Sequence, residues 1–546
     1  MEPLYKKFSR SSFDKNGRLN NFEIVCNDNF NFGYDVVDAI AAAEPKKTAL
    51  VWCDIYGNER TLTFSDISRL SNKAAHVFQK YGIGKGDRVM LMLKRHYEYW
   101  YVINALHKLG AVVIPATHML KKKDIVYRVN KVGVKAIVCA QDNTIIESVA
   151  SSKPECETLT HLFNVRDDRD GFIRLDTELE DMPDTLERVE TNRKEPFMTY
   201  FTSGTTGYPK AVTHNYTYPL CHIPTALYWH GVQNGGLHFT VSDTGWGKAS
   251  WGKIYGQWLC GCAVMVYDYE KFEADKLTKI IKKYGVTSFC APPTIYRFIV
   301  KNEVYGDCFD KVYQATTAGE SLNPAIIERF REATGLLIRE AYGQTETVMV
   351  CGNLIGEKTK VGSIGRPNPL YDVHILDDEG KQCAPGEHGE ICIYPKDANR
   401  FGICIENGDA NDSRAWVDGV FHTGDVAYMD EDGYVFYIGR KDDIIKSSGY
   451  RIGPFEIEDV LIKHDAVAEC AVTGVPDEER GYVVKATIVL QNGFAPSDSL
   501  KKELQDYVKK STAPYKYPRI VDFVSELPKT ISGKIRRAKL RGDDKS

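Results

Sequence analysis

A chain of 546 residues with 43% hydrophobic and 26% charged side chains has the composition of a globular protein, and it is too long for one ordinary core. Its 70 basic and 74 acidic side chains leave a net charge of −4, so no global field gathers nucleic acid or anionic membrane. The 14 cysteines include no C-x-x-C pair and suit reduced thiols better than disulfides or a zinc site; with no secretory core after Met1 and no apolar run of bilayer length, the expected place is the cytoplasm, without stable membrane insertion.

From Asp87 to Ala140 the pattern predicts a strand at Arg88–Leu93, a helix from Tyr97 to Leu109, a strand at Ala111–Ile114, a helix from Asp124 to Lys131 and a strand at Ala136–Cys139. This β-α-β-α-β order is that of a doubly wound sheet. The alternation returns between Gly261 and Ile338, with Val264–Tyr267 and Ser288–Ala291 as strands around a helix from Phe272 to Tyr284.

Between about 362 and 439 the texture changes to short alternating runs separated by Asp-Glu-Gly, Pro-Gly and Asp-Gly turns, which predicts a small β-rich subdomain. The charged run Gly439–Gly449 follows and is read as the main domain boundary. Beyond it, Ile457, Val460 and Leu461 lie on one helical face, Ala468–Val475 and Tyr482–Leu490 read as strands, and Leu500, Leu504, Tyr507 and Val508 mark a second helix. The expected class is α/β: a large N-terminal domain (1–440) of two doubly wound subdomains plus the β-rich one, a hinge at 441–446 and a small mobile α+β C-terminal domain (447–546).

Four segments carry chemistry. Thr202-Ser203-Gly204-Thr205-Thr206-Gly207-Tyr208-Pro209-Lys210 follows an aromatic strand, Phe197–Phe201, and its hydroxyls, glycines and lysine suit a phosphate cradle, although a plain turn has the same composition and the Walker A spacing is absent. Arg339-Glu340-Ala341-Tyr342-Gly343-Gln344-Thr345-Glu346-Thr347, with Gly319-Glu320-Ser321 upstream, offers an aromatic for a flat base, a threonine for phosphate and a carboxylate for Mg²⁺, or else a solvated loop. Thr423-Gly424-Asp425 suits a ribose diol or a tight turn. Lys534, more than 300 residues after the first loop, sits in Pro528-Lys529-Thr530-Ile531-Ser532-Gly533-Lys534 as a mobile cation.

As an ordered set, these motifs and Gly439-Arg440-Lys441-Asp442-Asp443 resemble the adenylate-forming, AMP-binding enzymes over essentially the whole chain. Ser447–Pro454, Arg480–Ala486 and Ala513–Arg519 are similar to the medium-chain acyl-CoA synthetase branch. The resemblance implies an AMP-forming ligase that takes ATP, coenzyme A and a small carboxylic acid, short- to medium-chain and branched acids included, with Mg²⁺ as cofactor. It implies that Thr202 to Lys210 hold the β- and γ-phosphates, Thr345 the α-phosphate and Glu346 the Mg²⁺. Gly319, Glu320, Ser321, Glu340, Ala341, Tyr342, Gly343 and Gln344 would line the nucleotide, with Asp425 and Arg440 on the ribose. Lys534 would bridge acyl carboxylate and α-phosphate, and Arg451 would face the acyl phosphate.

The same resemblance implies coenzyme A contacts at Ser448, Gly449, Tyr450, Arg480, Lys509 and Tyr517, an acyl pocket of Trp229, Lys248, Trp251 and Cys290, and hinge residues Lys441 and Asp442. An acetyl- or propionyl-CoA synthetase, an aryl-acid CoA ligase and a catalytically silent nucleotide-binding paralogue are the alternatives. The assembly is expected to be a monomer or homodimer, with no nucleic-acid partner.

Overall fold

The computed structural model describes residues 2–202, 209–320, 322–396, 399–407, 415–447, 450–478, 480–529 and 535–542. Its contacts divide the chain into two units, the first taking residues 1–203, 209–372 and 395–413 and the second taking 373–394 and 414–546.

In the first unit the expected β-α-β-α-β run is realised by parallel strands Arg88–Met92, Val112–Pro115 and Val134–Cys139 around helices Glu98–Leu109 and Lys122–Val132. Every residue of Glu98–Leu109 is buried, its apolar and aromatic majority in the core and its polar members Glu98, Asn104, His107 and Lys108 each hydrogen-bonded. Strands β1 (Pro196–Thr202) and β2 (Lys210–Asn215) belong to the same eight-stranded sheet, which His161–Asn164, Ile173–Arg174 and Glu406–Asn407 complete, β1 lying parallel to Val112–Pro115 and antiparallel to β2.

A nine-stranded sheet forms the other layer of the unit. A short helix, α1 (Gly247–Gly252), precedes its central parallel strands β3 (Ser288–Cys290), β4 (Gln314–Ala318) and β5 (Ile338–Gly343). One face is closed by an aromatic cluster in which Tyr296 and Phe309 each meet Phe330 edge-on at 5.2 Å between ring centres. In register, Cys290 faces Thr316, Thr317 faces Glu340 and Ala318 faces Ala341. The segments that leave β3, β4 and β5 therefore emerge side by side at the carboxyl edge, where open α/β sheets place their ligands.

The second unit opens with an antiparallel sheet that includes β6 (Gly389–Tyr394), β7 (Val420–Met429) and β8 (Val435–Arg440). Helix α2 (Pro454–Leu461) follows, then strands Val467–Asp477 and Gly481–Leu490, helix Asp498–Ser511 and strand Ile520–Phe523. Ile457, Leu461, Val472, Val484, Ile488, Leu504 and Val508 make its core, so the amphipathic positions of the sequence point inward as expected.

The contact division differs from the boundary expected after Arg440, because α2 packs directly onto β8. A Cβ on Gly453 would lie 2.6 Å from Ile438 Cγ2, and the rings of Tyr437 and Phe455 meet at 5.7 Å. Arg537 Nη2 donates to both carboxylate oxygens of Glu458, at 2.8 and 2.7 Å, and the guanidinium lies over the Phe455 ring. The β-rich strands thus group with the C-terminal residues, and 441–446 lies inside the second unit. All 14 cysteines are free, and among the described residues no helix is long and apolar enough to cross a membrane.

Candidate active site

The strands on either side of the expected phosphate loop, β1 and β2, pair antiparallel. Thr202 and Lys210 are the last cross-strand pair of β1 and β2, and a hydrogen bond between the Thr199 and Thr213 hydroxyls, 2.9 Å, locks the pairing below them. Tyr127 donates its hydroxyl to the Pro209 carbonyl at 3.0 Å and pins one shoulder. Ser203, Gly204, Thr205, Thr206, Gly207 and Tyr208 lie outside the described residues.

The segments after β4 and β5 hold the next expected site residues. Gly319 has φ +104°, a backbone region that only glycine enters without strain, and Glu320 follows it at the surface. Ser321 lies outside the described residues. The carboxylate of Glu340, 6% exposed, accepts the Leu322 N–H at 3.1 Å and so shapes the loop that holds Gly319 and Glu320. Ala341 and Tyr342 are buried beside it in β5, and Gly343 closes the strand where a Cβ would stand 2.4 Å from the Val348 carbonyl and 2.6 Å from the Trp251 ring.

The next turn is tied on two sides. Gln344 donates its N–H to Thr347 Oγ1 at 3.0 Å, and the Glu346 carbonyl accepts the Cys404 N–H at 2.8 Å. From β2, His214 Nε2 reaches the Thr345 carbonyl at 2.7 Å. Burial lowers the His214 pKa to about 4, opposed by that bond, so the ring is neutral and donates. Thr345 and Glu346 are thereby held next to the strand that carries Lys210, both half-buried at the sheet edge. A half-buried carboxylate oxygen is the donor a hard cation such as Mg²⁺ takes from protein, the remaining positions going to phosphate and water.

The four residues expected to line an acyl pocket come together against β4 and β5. Trp229, Trp251 and Cys290 share one apolar cluster with Ala318, Ala341 and Met349, the two indoles meeting edge-on at 6.1 Å. Lys248 Nζ donates to the Ala318 carbonyl at 2.9 Å. Behind the tryptophans Gln257 Nε2 donates to the Trp251 carbonyl and to His230 Nδ1, each at 3.1 Å, and His238 lies between the hydroxyls of Ser288 and Thr240. The segment leading to Lys248 is anchored by Asp243, which accepts the Gly245 N–H at 2.9 Å and faces His118 and Arg95.

In the second unit Asp425 and Arg440 are cross-strand partners of β7 and β8, 3.8 Å apart. Asp425 is 4% exposed and accepts the Tyr437 hydroxyl at 3.1 Å. It rides on a bulge, since the register of β6 and β7 shifts between Glu390 and Cys392 while Gly424 takes φ +70°. Glu390 fills the space under that bulge, accepting the Gly424 N–H at 2.9 Å and the Lys441 ammonium at 3.0 Å. Lys441 is held again by its own N–H on the Gly424 carbonyl, and Asp442 pairs with Arg440 at 3.5 Å.

Farther on, Arg451 pairs in register with Lys446, Tyr450 stacks on Tyr515 at 4.0 Å, the Arg480 N–H donates to Asp477, and Lys509 lies 4.2 Å over the Tyr517 ring. Ser448, Gly449 and Lys534 lie outside the described residues.

Residues 37–396 match the AMP-binding enzyme family and residues 456–534 its AMP-binding enzyme C-terminal domain. The chain belongs to the AMP-binding enzyme family. It is 39% identical to Acyl-coenzyme A synthetase ACSM3, mitochondrial, of Mus musculus, over 99% of this chain and 96% of that one. It is 40% identical to 4-hydroxybutyrate--CoA ligase 1 of Metallosphaera sedula, over 94% and 90%. Among solved structures, the anthranilate CoA ligase AuaEII in complex with anthranoyl-AMP superposes with a TM-score of 0.84 at 26% identity, covering 95% of this chain and 98% of that one.

Within this AMP-binding enzyme the residues that escaped sequence reasoning are His214 as a tether, Asp243, Glu390 and Tyr437. Each acts on a backbone group or side chain brought close only by the fold. The one signal was position, since His214 follows the phosphate loop and Asp243 precedes Gly245-Trp246.

Proposed function

We propose that the chain is an AMP-forming acyl-CoA synthetase that activates a short- to medium-chain carboxylic acid, branched acids included. The observation that carries this reading is the tether between His214 and Thr345, which sets the phosphate hairpin beside the Thr345–Glu346 turn. The relatives support it, being acyl-CoA synthetases and CoA ligases by name at about 40% identity over nearly full length.

In the first half-reaction an oxygen of the acid bonds to the α-phosphorus of ATP, the bond to the β-phosphate oxygen breaks, and pyrophosphate leaves. The acid is already an anion at neutral pH, so the enzyme supplies position and positive charge rather than a base. Thr202 to Lys210 cradle the β- and γ-phosphates and Thr345 the α-phosphate, while Glu340 shapes the adenine loop and Asp425 with Arg440 holds the ribose. Lys534 bridges the reacting carboxylate and phosphate, and Glu346 offers the oxygen for Mg²⁺, which would neutralise phosphate charge.

In the second half-reaction the coenzyme A sulfur bonds to the acyl carbon, the carbon–oxygen bond to AMP breaks, and the thiol proton passes to solvent. Ser448, Gly449, Tyr450 and Arg480 line the approach, with Lys509 and Tyr517 toward the nucleotide end and Arg451 at the acyl phosphate. Exchange between the two states is a rotation about Lys441 and Asp442, the domains for this purpose being 1–440 and 447–546.

Trp229, Trp251, Lys248 and Cys290 shorten the acyl channel, which favours small acids. An aryl acid is the second reading, resting on the likeness to the anthranilate ligase. The free thiols suit a reducing compartment, and we place the enzyme in the cytoplasm. The test is AMP formation with and without coenzyme A across acids from acetate to octanoate, with branched and aromatic members. Small aliphatic acids are expected to lead; laurate turning over faster than butyrate or hexanoate overturns the short pocket.

A further inference from the structure

Across the β6–β7 pair, Cys392 and His422 are in direct register, and Glu390 projects from the same strand two residues before Cys392. His422 Nδ1 lies 3.4 Å from Cys392 Sγ and 3.3 Å from Glu390 Oε2. A single ring nitrogen cannot satisfy both neighbours. Protonated, it donates to the carboxylate and leaves the thiol without its acceptor; bare, it accepts the thiol proton and turns its lone pair toward an anionic oxygen. One sulfur, one nitrogen and one oxygen, all within 4.8 Å of one another, therefore face a common point.

We propose that Glu390, Cys392 and His422 bind a thiophilic divalent cation of the zinc class, in competition with the Lys441 ammonium. Bonds of about 2.3 Å to sulfur and about 2.0–2.2 Å to nitrogen and oxygen, at tetrahedral angles, set ligand atoms roughly 3.3–3.6 Å apart. The two spacings at His422 Nδ1 are of that size, and the sulfur–oxygen spacing, no more than 4.8 Å, closes onto the ion by side-chain adjustment. Cys392 is fully buried, whereas the His422 side chain is 25% exposed, which leaves a solvent-facing side for entry and a fourth ligand.

A thiol ligates as thiolate, so binding must expel the Cys392 proton to solvent, and metal uptake weakens as pH falls. The Glu390 oxygen used is the one that now accepts Lys441 at 3.0 Å, with Asp378 3.7 Å from the same ammonium. Cation and lysine thus exclude each other. On the reading of Lys441 as a hinge residue, loading the site releases that side chain from its clasp; the binding itself does not depend on that reading.

The test uses the full-length protein and cobalt(II) as probe, because a cobalt–thiolate bond gives a charge-transfer band that oxygen and nitrogen ligands alone do not. A band saturating at one equivalent and displaced by zinc is expected in the wild type. It should vanish in Cys392→Ser and weaken in His422→Asn, while Lys441→Met should bind several-fold more tightly. Failure of the wild type to give the band, or an equal band in Cys392→Ser, overturns the site. If Cys392→Ser does not fold, His422→Asn decides, since unchanged cobalt affinity and spectrum there also overturn it. None of these readouts requires acyl-CoA synthesis, so failure of the proposed function would leave them interpretable.

Discussion

His214 Nε2 stands 2.7 Å from the carbonyl oxygen of Thr345, a residue 131 positions further along the chain. His214 is 1% exposed and stacks on Tyr218 with ring centres 4.1 Å apart, so the imidazole can neither swing away nor be replaced by water. The bond joins β2, which continues from the phosphate hairpin, to the turn that bears Thr345 and Glu346. Its length and burial make it a fixed spacer between β2 and the Thr345–Glu346 turn.

His214→Phe keeps the ring stack and removes the donor. It should cost about 1–3 kcal/mol of stability for an orphaned carbonyl and about 100-fold in carboxylate-dependent pyrophosphate exchange, expressed in kcat more than in the KM for ATP. His214→Gln, which restores an N–H donor, should recover part of the rate. A loss of stability with an unchanged rate would show that the tether holds the fold and not the reaction.

Two glycines of the nucleotide edge are required for different reasons, and alanine separates them. At Gly319 nothing lies within 4 Å of an added Cβ, so the cost is the strain of φ +104°, about 1–3 kcal/mol. At Gly343 the added carbon would strike the Val348 carbonyl and the Trp251 ring at 2.4 and 2.6 Å, and neither can withdraw from a buried cluster. Gly343→Ala should therefore lower the urea midpoint well beyond Gly319→Ala and displace the Thr345 turn. Equal midpoints would contradict the packing argument.

Stability should rise with pH through the acidic range. Burial lowers the pKa of His107, His214, His222, His230 and His238, to about 4 for His214 and about 3 for His238, against about 6.5 in an unfolded chain. Below the unfolded value the unfolded chain takes up protons that the folded state refuses. The contribution is thus complete above about pH 6.5 and lost as pH falls toward the folded values, by about 1.4 kcal/mol per pH unit for each histidine. Lys253, lowered by burial to about 7 from 10.5, acts with the same sign in a higher window. Unfolding free energies between pH 8 and 5 check this, and uptake of more than one proton per molecule on unfolding at pH 5.5 is expected.

Much of this candidate site was legible because the proposed phosphate, base and ribose contacts are short contiguous segments at strand ends, where composition betrays them. The strand that feeds Thr202 agrees with the sequence pattern, and Trp229, Trp251 and Cys290, expected together, share one apolar cluster. What escaped it has a common cause, which is contact between distant residues. His214 meets a backbone carbonyl, Glu390 a bulge N–H 34 residues on, and Cys392 a histidine 30 residues on, and none of these leaves a spacing signature. Scattered cysteines therefore read as inert thiols, although one of them faces a histidine and a carboxylate. The contact boundary was hidden for the same reason, because nothing in the charged run after Arg440 reveals that Gly453 lets α2 settle on Ile438.

The two half-reactions make opposite demands on the C-terminal residues, and paired variants separate them. Lys534 is expected to act only while carboxylate and α-phosphate react, so Lys534→Ala should abolish pyrophosphate exchange yet largely spare thioester formation from supplied acyl-adenylate. Gly449 is expected to matter only where the coenzyme A thiol approaches, so Gly449→Leu should leave pyrophosphate exchange intact and block thioester formation. The two assays share the acyl-adenylate, and a general folding defect would depress both together. Equal loss of both partial reactions in a folded Lys534→Ala protein would sink the two-state account, because one lysine would then serve a single fixed arrangement throughout.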